Sequence, residues 1–129
     1  MVKIYLAARY GRREELRVIA RKLEDLGHII TSRWIWTEWE ANCEGSAAAP
    51  PEDRERFAAI DMYDVKNADC VISFTEEPRS NSRGGRHVEF GMALAWRKLN
   101  IVIGPHEHIF HHHETVKHFN TIEEALEIL

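Results

Sequence analysis

The part of the sequence best suited to catalysis is the run Ser82-Arg83-Gly84-Gly85-Arg86-His87-Val88-Glu89. It follows an apolar, strand-like run and opens a helix-like pattern, so its glycines would let a ligand approach the backbone and the helix N-terminus would favour an anion. The glycine spacing matches neither the dinucleotide-binding pattern nor the P-loop pattern. We expect Glu89 to lie in the first helical turn, where the helix dipole would keep its carboxylate ionised. Such a carboxylate can attack or stabilise an oxocarbenium-like sugar carbon, although a first-turn acid can also simply complement the dipole.

Cleavage of a glycosidic bond also needs a group that manages the proton of the leaving base. Three aspartates are available, Asp61, Asp64 and Asp69. Asp61 and Asp64 are three positions apart in a helical pattern and therefore share a face. The alternative is that Asp61 and Asp64 are solvated helix charges and that Asp69 is a turn residue.

Alternating strand-like and helix-like patterns must position these residues. The predicted strands cover residues 2–7, 28–35, 70–74, 101–103 and 116–120, and the predicted helices cover residues 14–26, 52–67, 86–99 and 121–129. This alternation predicts one α/β domain over residues 1–129, a doubly wound (flavodoxin/Rossmann-like) parallel sheet of about five strands with helices on both faces. Ligands in such sheets bind beyond the carboxyl ends of the strands, which selects the loops at 8–13, 75–85 and 104–113.

The composition is that of a globular protein. The chain has 129 residues, 44% of them hydrophobic, and a formal net charge of -4, so neither a nucleic acid polymer nor a membrane is an expected partner. The sequence has no apolar run of membrane-spanning length and no signal-peptide layout at its start. The two cysteines, Cys43 and Cys70, form no CxxC pair. We therefore expect a cytoplasmic protein without a structural disulfide.

Three stretches carry a resemblance to a known family. They are Ile4-Tyr5-Leu6-Ala7-Ala8-Arg9, then Asp61-Met62-Tyr63-Asp64-Val65-Lys66-Asn67-Ala68-Asp69, and Gly85-Arg86-His87-Val88-Glu89-Phe90-Gly91-Met92-Ala93. In this order, the stretches resemble the nucleoside 2-deoxyribosyltransferase superfamily, which includes the 2'-deoxynucleoside 5'-phosphate N-hydrolases. The resemblance extends through nearly the whole chain.

The resemblance implies roles for individual residues. Glu89 falls on the family nucleophile, which forms a covalent glycosyl-enzyme intermediate. Asp61 falls on the acid that positions the substrate and assists proton transfer, whereas Asp69 falls on an aspartate that we interpret as structural. The expected substrate-binding residues are Ala8, Arg9, Tyr10, Gly11, Ser82, Arg83, Gly84, Gly85 and His87. The family also implies that no metal or organic cofactor is needed, and that a homodimer or higher homo-oligomer completes the active site.

One departure from the family pattern bears on the substrate. The transferases carry an acidic residue about six positions before the nucleophile, where it faces the sugar 5'-hydroxyl. Here that position is Arg83, flanked by Ser80 and Ser82. A cation with hydroxyls suits a dianionic phosphate, although Arg83 could also project into solvent. We therefore predict an N-glycosidase acting on a (2'-deoxy)nucleoside 5'-monophosphate, with a base-exchanging deoxyribosyltransferase and a catalytically silent nucleotide-binding sensor as alternatives.

Two clusters of ring side chains have other interpretations. The aromatic run at residues 34–39 alternates like a strand, and its rings could stack on a base or pack at a subunit interface. Six histidines lie in the last quarter of the chain: His106, His108, His111, His112, His113 and His118. They follow no recognised metal-binding spacing, so we expect a solvated loop or a substrate contact rather than a metal site.

Overall fold

The computed structural model describes residues 1–37, 50–77 and 84–129. It contains one sheet of five parallel strands in the order β2-β1-β3-β4-β5. The strands are β1 (Lys3–Ala7), β2 (Ile29–Ile30), β3 (Cys70–Phe74), β4 (Leu99–Ile103) and β5 (Val116–Phe119). The predicted single parallel sheet is therefore confirmed. The strand order reverses between β1 and β3, which is where doubly wound sheets bind ligands.

Helices cover both faces of this sheet. They are α1 (Arg13–Asp25), α2 (Pro51–Lys66), α3 (Gly85–Ala95) and α4 (Ile122–Ala125). One hydrophobic cluster joins the sheet to Leu16 of α1 and Ile122 of α4, and a second joins it to Val65 of α2 and Ala93 of α3. Because both faces are covered, β3 is buried along its whole length, as its continuous apolar sequence predicts. None of the helices in the described part of the chain is long and apolar enough to cross a membrane.

The prediction of a strand at residues 28–35 is wrong for most of these residues. Only Ile29–Ile30 pairs with β1, and Arg33–Trp36 forms a 3-10 helix. Side chains replace the ladder at this point: Leu6 N donates to Ser32 Oγ at 3.0 Å, and Trp34 Nε1 donates to Leu6 O at 2.8 Å. The hydrogen-bonding groups at this edge of β1 are thus satisfied without further strand, and Trp34 and Trp36 lie in the 3-10 helix instead. Trp39, the last ring of the predicted aromatic run, lies outside the described residues.

The predicted helix at residues 86–99 ends early. α3 ends at Ala95 because Arg97 adopts a left-handed conformation, with φ of 58°, and Lys98 N donates to Ala93 O at 2.9 Å. This C-terminal turn frees Leu99 to begin β4. The final helix matches the prediction at its start, since the Thr121 side chain accepts a hydrogen bond from Glu124 N as a cap.

Candidate active site

The carboxylate of Glu89 meets the first strand at the reversal point of the sheet. The hydroxyl of Tyr5, a fully buried residue of β1, donates to Glu89 Oε2. Glu89 as a residue is half-buried, and its carboxyl group is the part shielded by protein. α3 begins at Gly85, which makes Glu89 its fifth residue. The predicted first-turn position is therefore wrong, and the dipole acts on Glu89 more weakly than expected.

Burial changes the ionisation of this group. Desolvation raises the pKa of Glu89 to about 8, the hydrogen bond from Tyr5 opposes the increase, and the negative charge of Asp61 adds to it. The sequence-based expectation that Glu89 is held ionised is therefore wrong for the unliganded protein. Burial also raises the pKa of Tyr5 well above its ordinary value, so its hydroxyl remains a hydrogen-bond donor.

Asp61 lies on α2, close enough to Glu89 for the two charges to interact. It is half-buried, and desolvation raises its pKa to about 6, with a further increase from Asp64 and an opposing effect of Arg33. The two predicted catalytic residues, from different helices, therefore lie within electrostatic range of each other, and their catalytic roles stay a prediction.

The other two aspartates have structural contacts. Asp64 is buried, and its carboxylate accepts hydrogen bonds from Arg33 N at 3.1 Å and from Arg33 Nη2 at 2.8 Å. It is thus neither a solvated helix charge nor a free acid. Asp69 Oδ2 accepts a hydrogen bond from Lys3 N at 3.1 Å. Asp69 therefore contributes to the pairing of β1 with β3 at its amino end.

The loop after β1 carries the arginine predicted to hold substrate. Arg9 Nε donates to Glu76 Oε1 at 2.5 Å, across the reversal point of the sheet. Arg12 Nη1 donates to Thr75 O at 3.2 Å and lies 3.8 Å from Glu76 Oε2. Sequence reasoning missed Glu76, although its position directly after Thr75 at the end of β3 would have identified it. Glu76 partly neutralises the cationic side of this loop.

The remaining predicted residues of this loop have different environments. Ala8 is buried, whereas Gly11 is exposed in a short 3-10 turn. The Tyr10 hydroxyl donates to Thr37 O at 3.1 Å, and its ring lies 6.1 Å from that of Trp34. Two of the predicted phosphate-binding residues, Ser82 and Arg83, lie outside the described residues, as does Ser80.

The start of α3 joins the connection between β4 and β5. Gly84 caps the helix in a left-handed conformation, with φ of 90°, and Gly85 is exposed as the first helical residue. The next side chain, Arg86, is buried and pairs in bidentate fashion with Glu107, with distances of 3.1 Å from Nε to Oε2 and 2.5 Å from Nη2 to Oε1. Sequence reasoning missed this ion pair because its members are far apart in the chain and in no motif.

His87 belongs to this second group of contacts rather than to the pair of acids. It lies two residues before Glu89 and so projects from α3 about 200° away from it. Its Nδ1 is 3.1 Å from His108 Nε2, and its Nε2 is 4.0 Å from Glu107 Oε2. Among the described contacts, the structure brings His87 to the histidine-rich connection, and substrate contact by His87 stays a prediction.

Comparison with known proteins identifies the fold. A CMP N-glycosidase of Clostridium botulinum, BcmB, superposes with a TM-score of 0.59 at 22% identity, covering 98% of this chain and 96% of that chain. A 2-deoxyribosyltransferase of Bacillus psychrosaccharolyticus superposes with a TM-score of 0.68 at 21% identity, covering 95% of this chain and 89% of that chain. The chain has the fold of these two enzymes. No protein-family model and no curated protein matches the sequence. The fold implied by the family resemblance is therefore confirmed over nearly the full length of the chain.

Proposed function

We propose that the protein is an N-glycosidase that cleaves the base–sugar bond of a (2'-deoxy)nucleoside 5'-monophosphate, with Glu89 as the nucleophile. The observation that carries this proposal is the placement of the Glu89 carboxylate, which accepts a hydrogen bond from buried Tyr5 and interacts with the charge of Asp61. The pair lies near the sheet's reversal point, where this fold binds ligands. The shared fold with a CMP N-glycosidase and with a 2-deoxyribosyltransferase supports chemistry at a nucleosidic carbon.

The reaction needs both acids and one proton. The ionised Glu89 attacks C1' while the C1'–N bond breaks, and the base leaves with the bonding electron pair and takes up a proton. Asp61 assists this proton transfer. Water then attacks C1' of the glycosyl-Glu89 ester and gives a proton to Asp61, while the C1'–O bond to Glu89 breaks, so that the sugar phosphate and the carboxylate are released. Glu89 and Asp61 must therefore share one proton when the substrate binds.

A panel of ribonucleoside and deoxyribonucleoside monophosphates tests the proposal, with free base measured by chromatography. We expect release of base by the wild type and a decrease of about 10³-fold or more for Glu89→Gln. Mass spectrometry of acid-quenched protein should detect a sugar-phosphate adduct on the wild type and none on this variant. Glu114→Gln, which changes an exposed glutamate, serves as the control. Wild-type rates of base release in a folded Glu89→Gln protein would refute the nucleophile.

One observation favours base exchange on nucleosides as the second candidate. Glu76 accepts a hydrogen bond from Arg9, and the neutralised pair suits a sugar 5'-hydroxyl better than a phosphate dianion. Supplying a second free base separates the candidates, because only a transferase yields the exchanged nucleoside. Binding of a nucleotide with neither base release nor exchange would instead indicate a silent nucleotide-binding protein.

The same contact offers a test of the phosphate requirement. In Glu76→Gln the guanidinium of Arg9 loses its counter-charge and becomes available to a phosphate, so the KM for the nucleotide should fall relative to that for the nucleoside. Glu77→Gln is the matched control, because this neighbouring glutamate is exposed. If Glu76→Gln leaves the KM for the nucleotide unchanged and raises only the KM for the nucleoside, the transferase is favoured.

A further inference from the structure

Three histidine side chains meet beside the N-terminal end of α3. His87 comes from the helix, and His108 and His111 come from the connection between β4 and β5. Their candidate ligand nitrogens all lie within 4.8 Å of one another, and His108 Nε2 is 3.1 Å from His87 Nδ1. His111 is buried, whereas His87 and His108 are half-buried, so the group lies at the boundary between protein and solvent.

We propose that His87, His108 and His111 bind a divalent transition-metal ion, and we use Zn²⁺ as the ion to test it. Zinc binds histidine nitrogens at about 2.0–2.1 Å in a tetrahedral arrangement, which places ligand nitrogens about 3.3 Å apart. The 3.1 Å between His87 and His108 is already close to this spacing. The third nitrogen is near enough for small side-chain rotations to complete the set, with water as the fourth ligand.

The surroundings of the three rings suit a cation. The Glu107 carboxylate, which is paired with Arg86, lies 4.0 Å from His87 Nε2, so a carboxylate faces the ring nitrogen of His87 that would not bind the ion. His108 Nδ1 is buried and has no hydrogen-bond partner among the described residues. Glu107 N donates to His111 Nδ1 at 3.0 Å, and coordination by His111 requires this ring to turn and give up that bond. Coordination also replaces the hydrogen bond between His87 Nδ1 and His108 Nε2, and two neutral hydrogen bonds contribute far less free energy than a set of metal–nitrogen bonds.

A second group of histidines in the same region provides a contrast. His106 stacks on His112 and on His118, with ring centroids 4.1 Å and 4.3 Å apart and interplanar angles of 17° and 24°. Ring nitrogens direct their lone pairs in the plane of the ring, so stacked rings do not converge on one point. The stacked group therefore serves as an internal control for nonspecific binding to histidine.

The metal would act as a structural clamp rather than as a catalyst. It would connect the first turns of α3 to the β4–β5 connection, and so it would hold in place the helix that carries Glu89. His87 and Glu89 project about 200° apart on that helix, so an ion bound by His87 lies away from the proposed sugar site. The clamp is thus independent of whether the proposed glycosidase function is correct.

Isothermal titration of the untagged, EDTA-stripped and dialysed protein with zinc sulfate tests the inference. We expect one ion per chain, a higher melting temperature with zinc, and visible absorption of a Co²⁺ adduct typical of tetrahedral coordination. The variants His87→Gln and His108→Gln should each lose affinity by at least about 10-fold. Both change half-buried side chains, so they test the site even if a change at buried His111 prevents folding.

Variants of the stacked histidines show whether zinc binds specifically at His87, His108 and His111. His112→Gln and His118→Gln should bind zinc with the affinity of the wild type. The inference is overturned if the wild type binds no zinc, if folded His87→Gln and His108→Gln bind it unchanged, or if affinity falls only in the variants of the stacked group. Circular dichroism of each metal-free variant establishes that it is folded.

Discussion

At neutral pH, Glu89 and Asp61 together hold a single proton. Burial is the main reason why the pKa of Glu89 is raised to about 8 and that of Asp61 to about 6. Because the groups interact, the two values belong to the pair rather than to either side chain. Between these two values the two groups carry the single proton that the reaction needs, and this proton must pass from Glu89 to Asp61 before Glu89 can attack.

The pH dependence of kcat/KM should therefore be bell-shaped, with limbs near pH 6 and pH 8. Below the lower value the pair holds two protons and lacks a nucleophile, and above the upper value it holds none and cannot protonate the base. Initial rates at subsaturating substrate from pH 5 to 9.5, with EDTA present to keep the histidines metal-free, measure the profile. Asp61→Asn should remove the alkaline limb and leave a single acidic limb from the ionisation of Glu89. A flat profile across this range would contradict a shared proton.

Replacing Tyr5 with Phe should shift the alkaline limb to higher pH. The Tyr5 hydroxyl bonds to the Glu89 carboxylate and lowers its pKa, so its loss favours the protonated acid. A hydrogen bond to a charged group contributes about 1.5–3 kcal/mol, which corresponds to a decrease in kcat/KM of roughly 10- to 100-fold at pH 7. Tyr63→Phe is the matched control, since that side chain is exposed on α2. An unshifted limb in Tyr5→Phe would show that the contact does not tune Glu89.

At this scale the sequence predicted the acids better than their environment. Glu89 and Asp61 stand in recognisable stretches and lie within electrostatic range of each other, while their catalytic roles stay a prediction. Tyr5 and Glu89 are 84 positions apart, and nothing in local spacing pairs them. The ionisation of Glu89 was wrongly predicted because desolvation, which depends on tertiary packing, outweighs a helix dipole that weakens beyond the first turn.

At the scale of elements, the sequence predicted the buried strand β3 well and the edge strand β2 poorly. β3 is a continuous apolar run, and a strand covered on both faces must be one. β2 lies at the edge of the sheet, where the side chains of Ser32 and Trp34 complete the hydrogen bonds of β1. Here side-chain hydrogen bonds take the place of the backbone hydrogen bonds of a paired strand. They form with the neighbouring strand β1, so the residue pattern of the β2 segment alone cannot predict them.

The junction of α3 with the β4–β5 connection depends on one buried ion pair. Glu107→Ala should lower the free energy of unfolding by about 3–5 kcal/mol, because Arg86 would remain buried without its counter-charge. Urea denaturation in the presence of EDTA measures this loss. Glu114→Ala, in the same connection but exposed, should change stability by no more than about 0.5 kcal/mol. Equal stabilities of the two variants would show that the pair contributes little.

For the whole molecule, the alternation of strands and helices was sufficient to predict the parallel sheet. The strand order β2-β1-β3-β4-β5 places the loops after β1 and β3 side by side, and these loops carry Arg9 and Glu76. The predicted homo-oligomer stays a prediction. Exposed apolar side chains on α2 and α3, such as Tyr63 and Val88, offer a surface for it, and sedimentation analysis would measure the assembly.

The buried carboxyl group should also make the stability of the whole molecule depend on pH. An unfolded chain ionises Glu89 near its ordinary pKa of 4.5, whereas the folded chain does so near 8. Between these values the folded state holds more protons, so this group makes the protein less stable as the pH rises from about 4.5 to about 8. Glu89→Gln removes the effect and retains a side-chain acceptor for the Tyr5 hydroxyl.

The melting temperature of Glu89→Gln should therefore exceed that of the wild type at pH 8.5, by an amount corresponding to a free energy on the order of 5 kcal/mol. The difference should shrink as the pH falls and should be small at pH 5, where the wild-type carboxyl group is neutral in the folded state. Scanning calorimetry in EDTA at both pH values measures it, with Glu114→Gln as the exposed control. If the variant loses activity and gains stability only at alkaline pH, then burial of the ionised Glu89 carboxylate destabilises the folded protein. The carboxyl group is then retained for activity at the expense of stability. A melting-temperature difference independent of pH would instead assign the effect of the substitution to packing.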